Sequence, residues 1–350
     1  MATLTETAYY TRRTINWAIL VLICYIIIRL LWSGIAAVWL GIFPPKPSPP
    51  NFRFGKLPPL RFPEGSPSAQ LTYRLETIEG RVPLASESAA VYFMPKPAAN
   101  LLALTRTQEF ATRLGFDPNP IEETKAIYRF ADTANTLRRL RYDIVSNNFI
   151  LRYGFEQDTG LFTDRNLPGP DAAVAEAKSI LQTFTLYGPD LVGGTSRVSF
   201  FKLVGDALVS TTSLSQADAV RVDFFRRNVA GIKLFPSNPD EGQVAFIFSG
   251  SKNEKKKILQ FAYTFWPIDY DTQGTYAQKP SALAWEELQA GRAYIARYPS
   301  NAGTNVVVRK IYVGYYDSFN PQMYLQPVYV FEGDYGFLAY VPAVSSEWTE

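Results

Sequence analysis

A chain of 350 residues with 47% hydrophobic side chains is long enough to bury a large core, and a formal charge of only +3 gives no broad electrostatic footprint for nucleic acid. It contains no histidine, and its single cysteine, Cys24, falls inside an apolar run. Ser-His-Asp and Cys-His nucleophiles, His- or Cys-ligated metals and a disulfide framework are thereby excluded, which leaves carboxylate, Lys, Tyr or Ser–Lys chemistry.

Residues 1–16 read as a short cytoplasmic N-terminus. From Trp17 to Phe43, 27 residues run almost without interruption through apolar side chains, and Pro44, Pro45, Pro47, Pro49 and Pro50 follow at once. At ~1.5 Å per residue the run exceeds the ~30 Å hydrocarbon core, so 17–43 is expected to be a single transmembrane helix. A signal peptide has a shorter apolar core, about 7–15 residues, and a small-residue cleavage site, so an uncleaved anchor is expected. Arg12 and Arg13 favour a cytoplasmic N-terminus, whereas a plain count of Lys46, Arg53, Lys56 and Arg61 on the far side favours the reverse. The short N-terminus, lone anchor and Pro-rich stalk favour a cell-membrane protein with its C-terminal domain extracytoplasmic.

Arg29 sits near the middle of the run, and Ser33, Ala37 and Gly41 follow at steps of four. The four share one helical face of the small-xxx-small kind, which is expected to pack against another membrane helix or a second copy and shelter the charge.

Residues 44–68, rich in Pro, Gly and Ser, read as an extended stalk. Residues 69–167 form a first α+β subdomain: a strand pair, Leu71–Glu76 with Ala90–Met94, a helix Leu101–Leu114 stopped by Gly115, then strands 126–130, 137–144 and 149–155, with Ser146-Asn147-Asn148 as a hairpin joint. Residues 168–350 form a second α+β region. Asp171 is expected to cap a helix 172–187, followed by strands 197–204, 219–225, 244–248 and 258–265. Ser281 is expected to cap a helix to Ile295, followed by strands 306–316, 324–331 and 337–341. The fold class is therefore α+β: a transmembrane helix, then repeated units of a helix and an antiparallel meander.

Several clusters bear on function. Lys252, Lys255, Lys256 and Lys257 lie between two strands and read as a solvated hairpin tip. Asp269, Asp271, Gln273 and Gly274 echo the start of a calcium loop, but Pro280 stands where its glutamate belongs, so a polar turn is expected and no metal. No phosphate-binding glycine motif is present, so no cofactor is expected. Glu286, Glu287, Glu332 and Asp334 are the carboxylates available for glycoside hydrolysis. Tyr312, Tyr315, Tyr324 and Tyr329 lie on late strands, where an open sheet face would make them a protein-binding surface.

Three late segments, Ser281-Ala282-Leu283-Ala284-Trp285-Glu286-Glu287-Leu288, Lys310-Ile311-Tyr312-Val313-Gly314-Tyr315-Tyr316 and Tyr324-Leu325-Gln326-Pro327-Val328-Tyr329-Val330-Phe331, resemble the C-terminal part of YycH/YycI-type proteins. Those are single-span extracytoplasmic regulators of a bacterial sensor kinase, with domains similar to PepSY-type helix-and-meander modules. The resemblance implies an anchored, non-catalytic interaction module and carries no site residue across. The expected function is regulation or scaffolding of a membrane complex, with membrane or envelope proteins or a second copy through the span as partners, and no nucleic acid. The alternatives are a structural component of the cell envelope or a surface assembly, and a carboxylate hydrolase of wall polysaccharide.

Overall fold

The computed structural model describes residues 4–42, 49–64, 71–98, 100–158, 160–301 and 303–350. It divides into two units, Met1–Ser48 and Pro49–Glu350.

The first unit is one helix, α1 (Leu4–Ile42). Its segment Arg12–Ile35, with mean hydropathy 2.4, is long and apolar enough to cross a membrane or to serve as a signal sequence. Arg29 and Ser33 are both exposed on it. The Ser33 hydroxyl donates to the Leu30 carbonyl at 2.8 Å, so the helix itself satisfies that polar group. The surroundings of Ala37 and Gly41, the other half of the expected packing face, lie outside what the structure describes, as do residues 43–48 and 65–70 of the stretch read as span end and stalk.

The second unit is α+β, with large, mainly antiparallel sheets. Its elements begin with β1 (Thr72–Leu75), β2 (Ser88–Phe93), α2 (Ala103–Arg113), β3 (Ile121–Glu122), β4 (Ile127–Ala131), β5 (Arg138–Asp143) and β6 (Phe149–Tyr153). There follow α3 (Pro170–Thr183), α4 (Pro189–Val192), β7 (Thr195–Val204), β8 (Ala207–Thr211), β9 (Ala219–Phe225), β10 (Leu234–Phe235) and β11 (Val244–Ser249). The last are α5 (Glu254–Lys257), β12 (Ile258–Tyr263), β13 (Asp269–Ala277), α6 (Ser281–Gln289), β14 (Tyr294–Arg297), β15 (Asn305–Tyr316), β16 (Tyr324–Gly333) and β17 (Leu338–Pro342).

One sheet has nine strands in the order β3-β4-β5-β6-β12-β11-β9-β7-β8. Every neighbouring pair in it is antiparallel. Helices α2 and α3 cover one face, where Ala111, Ala173, Ala177 and Leu181 pack on Phe130, Leu140, Phe149, Leu151, Val222, Phe246 and Phe261. Helix α2 stops where expected. Gly115 has φ +81°, and Gly115 N–H and Phe116 N–H return to the carbonyls of Thr112 and Ala111, both at 2.9 Å, closing the last turn. The hairpin joint also falls at the expected place, with Asn147 at φ +61° between β5 and β6.

The other sheet runs β1-β15-β16-β17-β14, with β10 on β15, and β2 joining β16 to β13. Helix α6 packs Ala284 and Leu288 onto Val306, Ile311, Phe331, Ala339 and Val341. Alongside their hairpins, both sheets contain long-range pairs. β6 and β12 join residues on either side of Pro168, and β1 runs parallel to β15 rather than beside β2.

Other differences have local causes. Gly169 occupies the N-cap of α3 with Pro170 as the first helical residue, which displaces Asp171 into the first turn. Pro280 caps α6, and Gly291 at φ +72° ends it, so 294–297 becomes a strand. Pro49–Glu64 is not a free spacer. Leu57 is fully buried in a bridge to Thr349, Phe52 stacks on Trp348 at 3.6 Å, and Phe62 stacks on Tyr294 at 5.0 Å. The lysine tip is a clamp, because Lys255, Lys256 and Lys257 reach Asp132 (3.0 Å), Asp158 (2.7 Å) and Glu176 (2.7 Å).

Candidate functional site

After β9 the chain leaves the nine-stranded sheet, adds β10 beside β15 in the other, and returns as β11. That crossing opens a cleft of about 850 Å³ between the sheets. Its walls are the start of β7 (Gly193–Arg197), the end of β9 with Arg226 and Arg227, the β10 loop, Arg297 of β14, and the β16–β17 turn. Phe225, Leu234, Phe235, Phe337 and Leu338 supply an apolar lining. The cations are Arg197, Arg226, Arg227, Lys233 and Arg297, with Glu332 as the carboxylate on the wall.

The cations are held in place rather than loose. Asp240 accepts from Arg297 Nε (2.8 Å) and Nη2 (2.5 Å) and from Arg197 Nη1 (3.3 Å). Arg197 also lies over the Phe225 ring at 5.3 Å, and its buried Nε has no partner. The Lys233 ammonium sits 5.0 Å from the Phe235 ring.

Behind the wall, Arg226 is almost wholly buried. It donates to Asp190 Oδ2 (2.5 Å) and the Trp266 carbonyl (2.8 Å), meets Asp317 Oδ1 at 3.5 Å, and lies 4.6 Å from the Phe265 ring. Asp190 further accepts from Tyr270 (2.6 Å) and Arg227 (3.2 Å). Gln243 Nε2 donates to the Asp317 carbonyl at 2.9 Å, which ties the two sheets through one polar network.

Burial pushes the Asp190 carboxyl up, but Arg226, Tyr270 and Arg227 outweigh it and hold the group below the ordinary carboxylate range. Asp132 follows the same pattern, its burial outweighed by Arg138, Lys255 and the Ala134 amide. Both groups bind protons less readily folded than unfolded. Their contribution is therefore present above the unfolded value of ~3.9 and is lost as pH falls through the folded values. Through these two groups thermal melts are expected to drop below about pH 4, where both carboxylates take up protons. Asp190→Asn, itself less stable at neutral pH, should show a shallower acid drop.

The four sequence-predicted tyrosines do not form one open face. Tyr315 and Tyr329 are 1% exposed. Tyr315 donates to the Ala90 carbonyl (2.9 Å) and Tyr329 to the Lys279 carbonyl (2.6 Å). Tyr312 is half-buried on Glu332, and half-buried Tyr324 packs on Phe54 at 4.8 Å. Both faces of β15 and β16 are covered, one by α6 and the other by segments that return from far along the chain.

The candidate carboxylates are also dispersed among partners. Glu287 binds Lys279 (2.8 Å), Asp334 binds Arg309 (2.7 Å), Glu332 accepts from Tyr312, and Glu286 is exposed. In the calcium-like stretch, Asp269 accepts the amides of Asp271 and Thr272, both at 3.1 Å, on strand β13. Among the described residues no group of three or more acidic, His or Cys side chains is arranged to hold a metal. Sequence reading missed Arg197, Arg226, Arg227, Lys233 and Arg297. The one local sign was Arg226-Arg227 directly after an apolar strand.

No family model and no curated protein matches this chain. Among solved structures it is similar to an uncharacterized protein from Eubacterium rectale, at 14% identity and a TM-score of 0.41, over 75% of this chain and 86% of that one.

Proposed function

We propose that this chain is a membrane-tethered, non-catalytic binding protein that regulates or scaffolds a membrane complex, with the inter-sheet cleft as its ligand site and the folded unit on the extracytoplasmic side. The observation that carries the reading is the cleft, whose roughly 850 Å³ combine an apolar lining with four cations, Arg197, Arg227, Lys233 and Arg297, and one carboxylate, Arg226 being buried behind them on Asp190 and Asp317. Sites of ~300–1,000 Å³ lined this way take small molecules, and the lining matches an anion with an apolar body. The pairing of Glu287, Glu332 and Asp334 with Lys279, Tyr312 and Arg309 favours binding over hydrolysis. The apolar helix Arg12–Ile35 supports the tether, and the YycH/YycI-type resemblance supports the class.

The test is calorimetric titration of the full chain, held in zwitterionic nanodiscs, with hexyl phosphate. One saturable site is expected, weakened roughly tenfold or more by Lys233→Glu combined with Arg297→Glu, because charge-assisted contacts are lost and replaced by repulsion. Absence of saturable binding by the wild type rejects the cleft as a site for amphiphilic anions. Crosslinking of the intact protein in its native membrane tests the regulatory part. A reproducible membrane-protein partner is expected, and only self-links or wall components would point to a structural envelope role instead.

A further inference from the structure

Strands β5 and β6 bury alternate residues. Leu140, Tyr142, Phe149 and Leu151 face the helices, while Arg139, Arg141, Ile150 and Arg152 are exposed on the other side. Register places Arg129 of β4 opposite Arg141, and Arg139 opposite Arg152. Arg141 is also opposite Ile150. With strands ~4.8 Å apart and a two-residue step of ~6.7 Å, four guanidiniums share a patch only about 10 Å by 7 Å. Like charges directly opposite one another on a sheet are destabilising, so neither folding nor solubility calls for two such pairs.

Two acids offset part of the charge. Glu123 meets Arg141 at 2.8 Å and Arg129 at 3.7 Å, and Glu156 meets Arg152. Arg139 has no acidic partner among the described residues. Phe155, Leu161 and Phe162 join a cluster with Ile247, Phe201 and Leu208 on the far strands. Over β4–β6 the arginines stay exposed, with side-chain exposures of 44%, 54% and 59% for Arg129, Arg141 and Arg152.

We propose that this face docks an acidic polypeptide segment of a partner protein, laid in extended form along β5 over the face of β4–β6. Guanidinium forks match carboxylates in two-bond geometry, and alternate residues of an extended peptide repeat at the same ~6.7 Å as Arg139 and Arg141. Ile150, 36% exposed and opposite Arg141, decides between a peptide and a phosphate polymer. An apolar side chain among four arginines has a counterpart in a peptide that carries one leucine between acids, and none in polyphosphate.

The test uses the full chain in zwitterionic nanodiscs and fluorescence anisotropy with a labelled acidic hexapeptide containing one central leucine. An all-acidic hexapeptide and a polyphosphate of equal charge serve as comparators. Saturable binding that weakens with salt is expected, with the leucine peptide the tightest of the three. Arg139→Glu, which puts a carboxylate opposite Arg152, should weaken it roughly tenfold without lowering the melting temperature. Ile150→Thr should weaken the leucine peptide alone, by roughly threefold. No binding by the wild type, or binding indifferent to Arg139→Glu, overturns the proposal. Equal affinity for polyphosphate with no effect of Ile150→Thr overturns it in favour of a phosphate polymer. Hexyl phosphate titration of the same variants, expected to be unchanged, keeps this face distinct from the cleft.

Discussion

Arg226→Met is expected to destabilise the folded unit by about 3–5 kcal/mol, because removing one partner of a buried ion pair strands the other. Asp190 would retain Arg227 and Tyr270, at 3.2 and 2.6 Å. Asp317, 3% exposed, would lose the guanidinium that faces it. Methionine fills much of the same volume, so the loss is electrostatic rather than a cavity. At ~2–4 °C per kcal/mol the melting temperature should fall by about 10 °C. Arg197→Met, removing a half-exposed partner of exposed Asp240, should cost no more than about 1 kcal/mol. Burial pushes the Asp317 carboxyl up against the pull of Arg226 and Gln243. A fall of less than 1 kcal/mol for Arg226→Met would mean that Asp317 is already protonated in the fold. Adding Asp317→Asn to Arg226→Met should then restore nothing, whereas a stranded charge predicts partial rescue.

Gly194→Ala is expected to be the other severe change. The chain enters β7 pressed against the end of β9, and a Cβ at this glycine would lie 1.9 Å from the Phe225 carbonyl oxygen and 3.1 Å from that of Asp190. Both obstacles are backbone, so strand or turn must move. Overpacking of this kind costs about 1–3 kcal/mol or more. The displaced segment, Gly193–Arg197, is one wall of the cleft, so affinity for hexyl phosphate should fall along with stability. Gly188→Ala is the control. That residue has φ −76° and open space where a Cβ would stand, and, with a change of no more than about 0.5 kcal/mol, the variant should melt within about 2 °C of the wild type. A wild-type melt for Gly194→Ala would show that β7 can start elsewhere.

The local punctuation of this chain is legible because it depends on a few adjacent residues. Gly115 stops α2 and Asn147 turns the β5–β6 hairpin, since each supplies a left-handed backbone where the path must reverse. Alternating apolar residues likewise located β5, β6, β9, β11, β15 and β16 to within a few positions. What failed to show was partnership. β1 and β2 read as a pair, yet β1 finds β15 and β2 finds β13 and β16. Lys255 reads as a solvated tip, yet it binds Asp132, 123 residues away in sequence.

The sequence by itself determined the apolar helix, the α+β class and the absence of histidine and of any cysteine beyond that helix, all of which follow from composition and short-range pattern. Tertiary structure alone decided the rest. Alternation says that a residue points away from its neighbour, but only strand order says what covers each face. Tyr315 and Tyr329 are therefore buried while Arg139 and Arg141 stay in solvent. The cleft is likewise made by one crossing between sheets, which brings Arg197, Arg226, Lys233 and Arg297 together from separate strands and loops, at a range no local pattern reports.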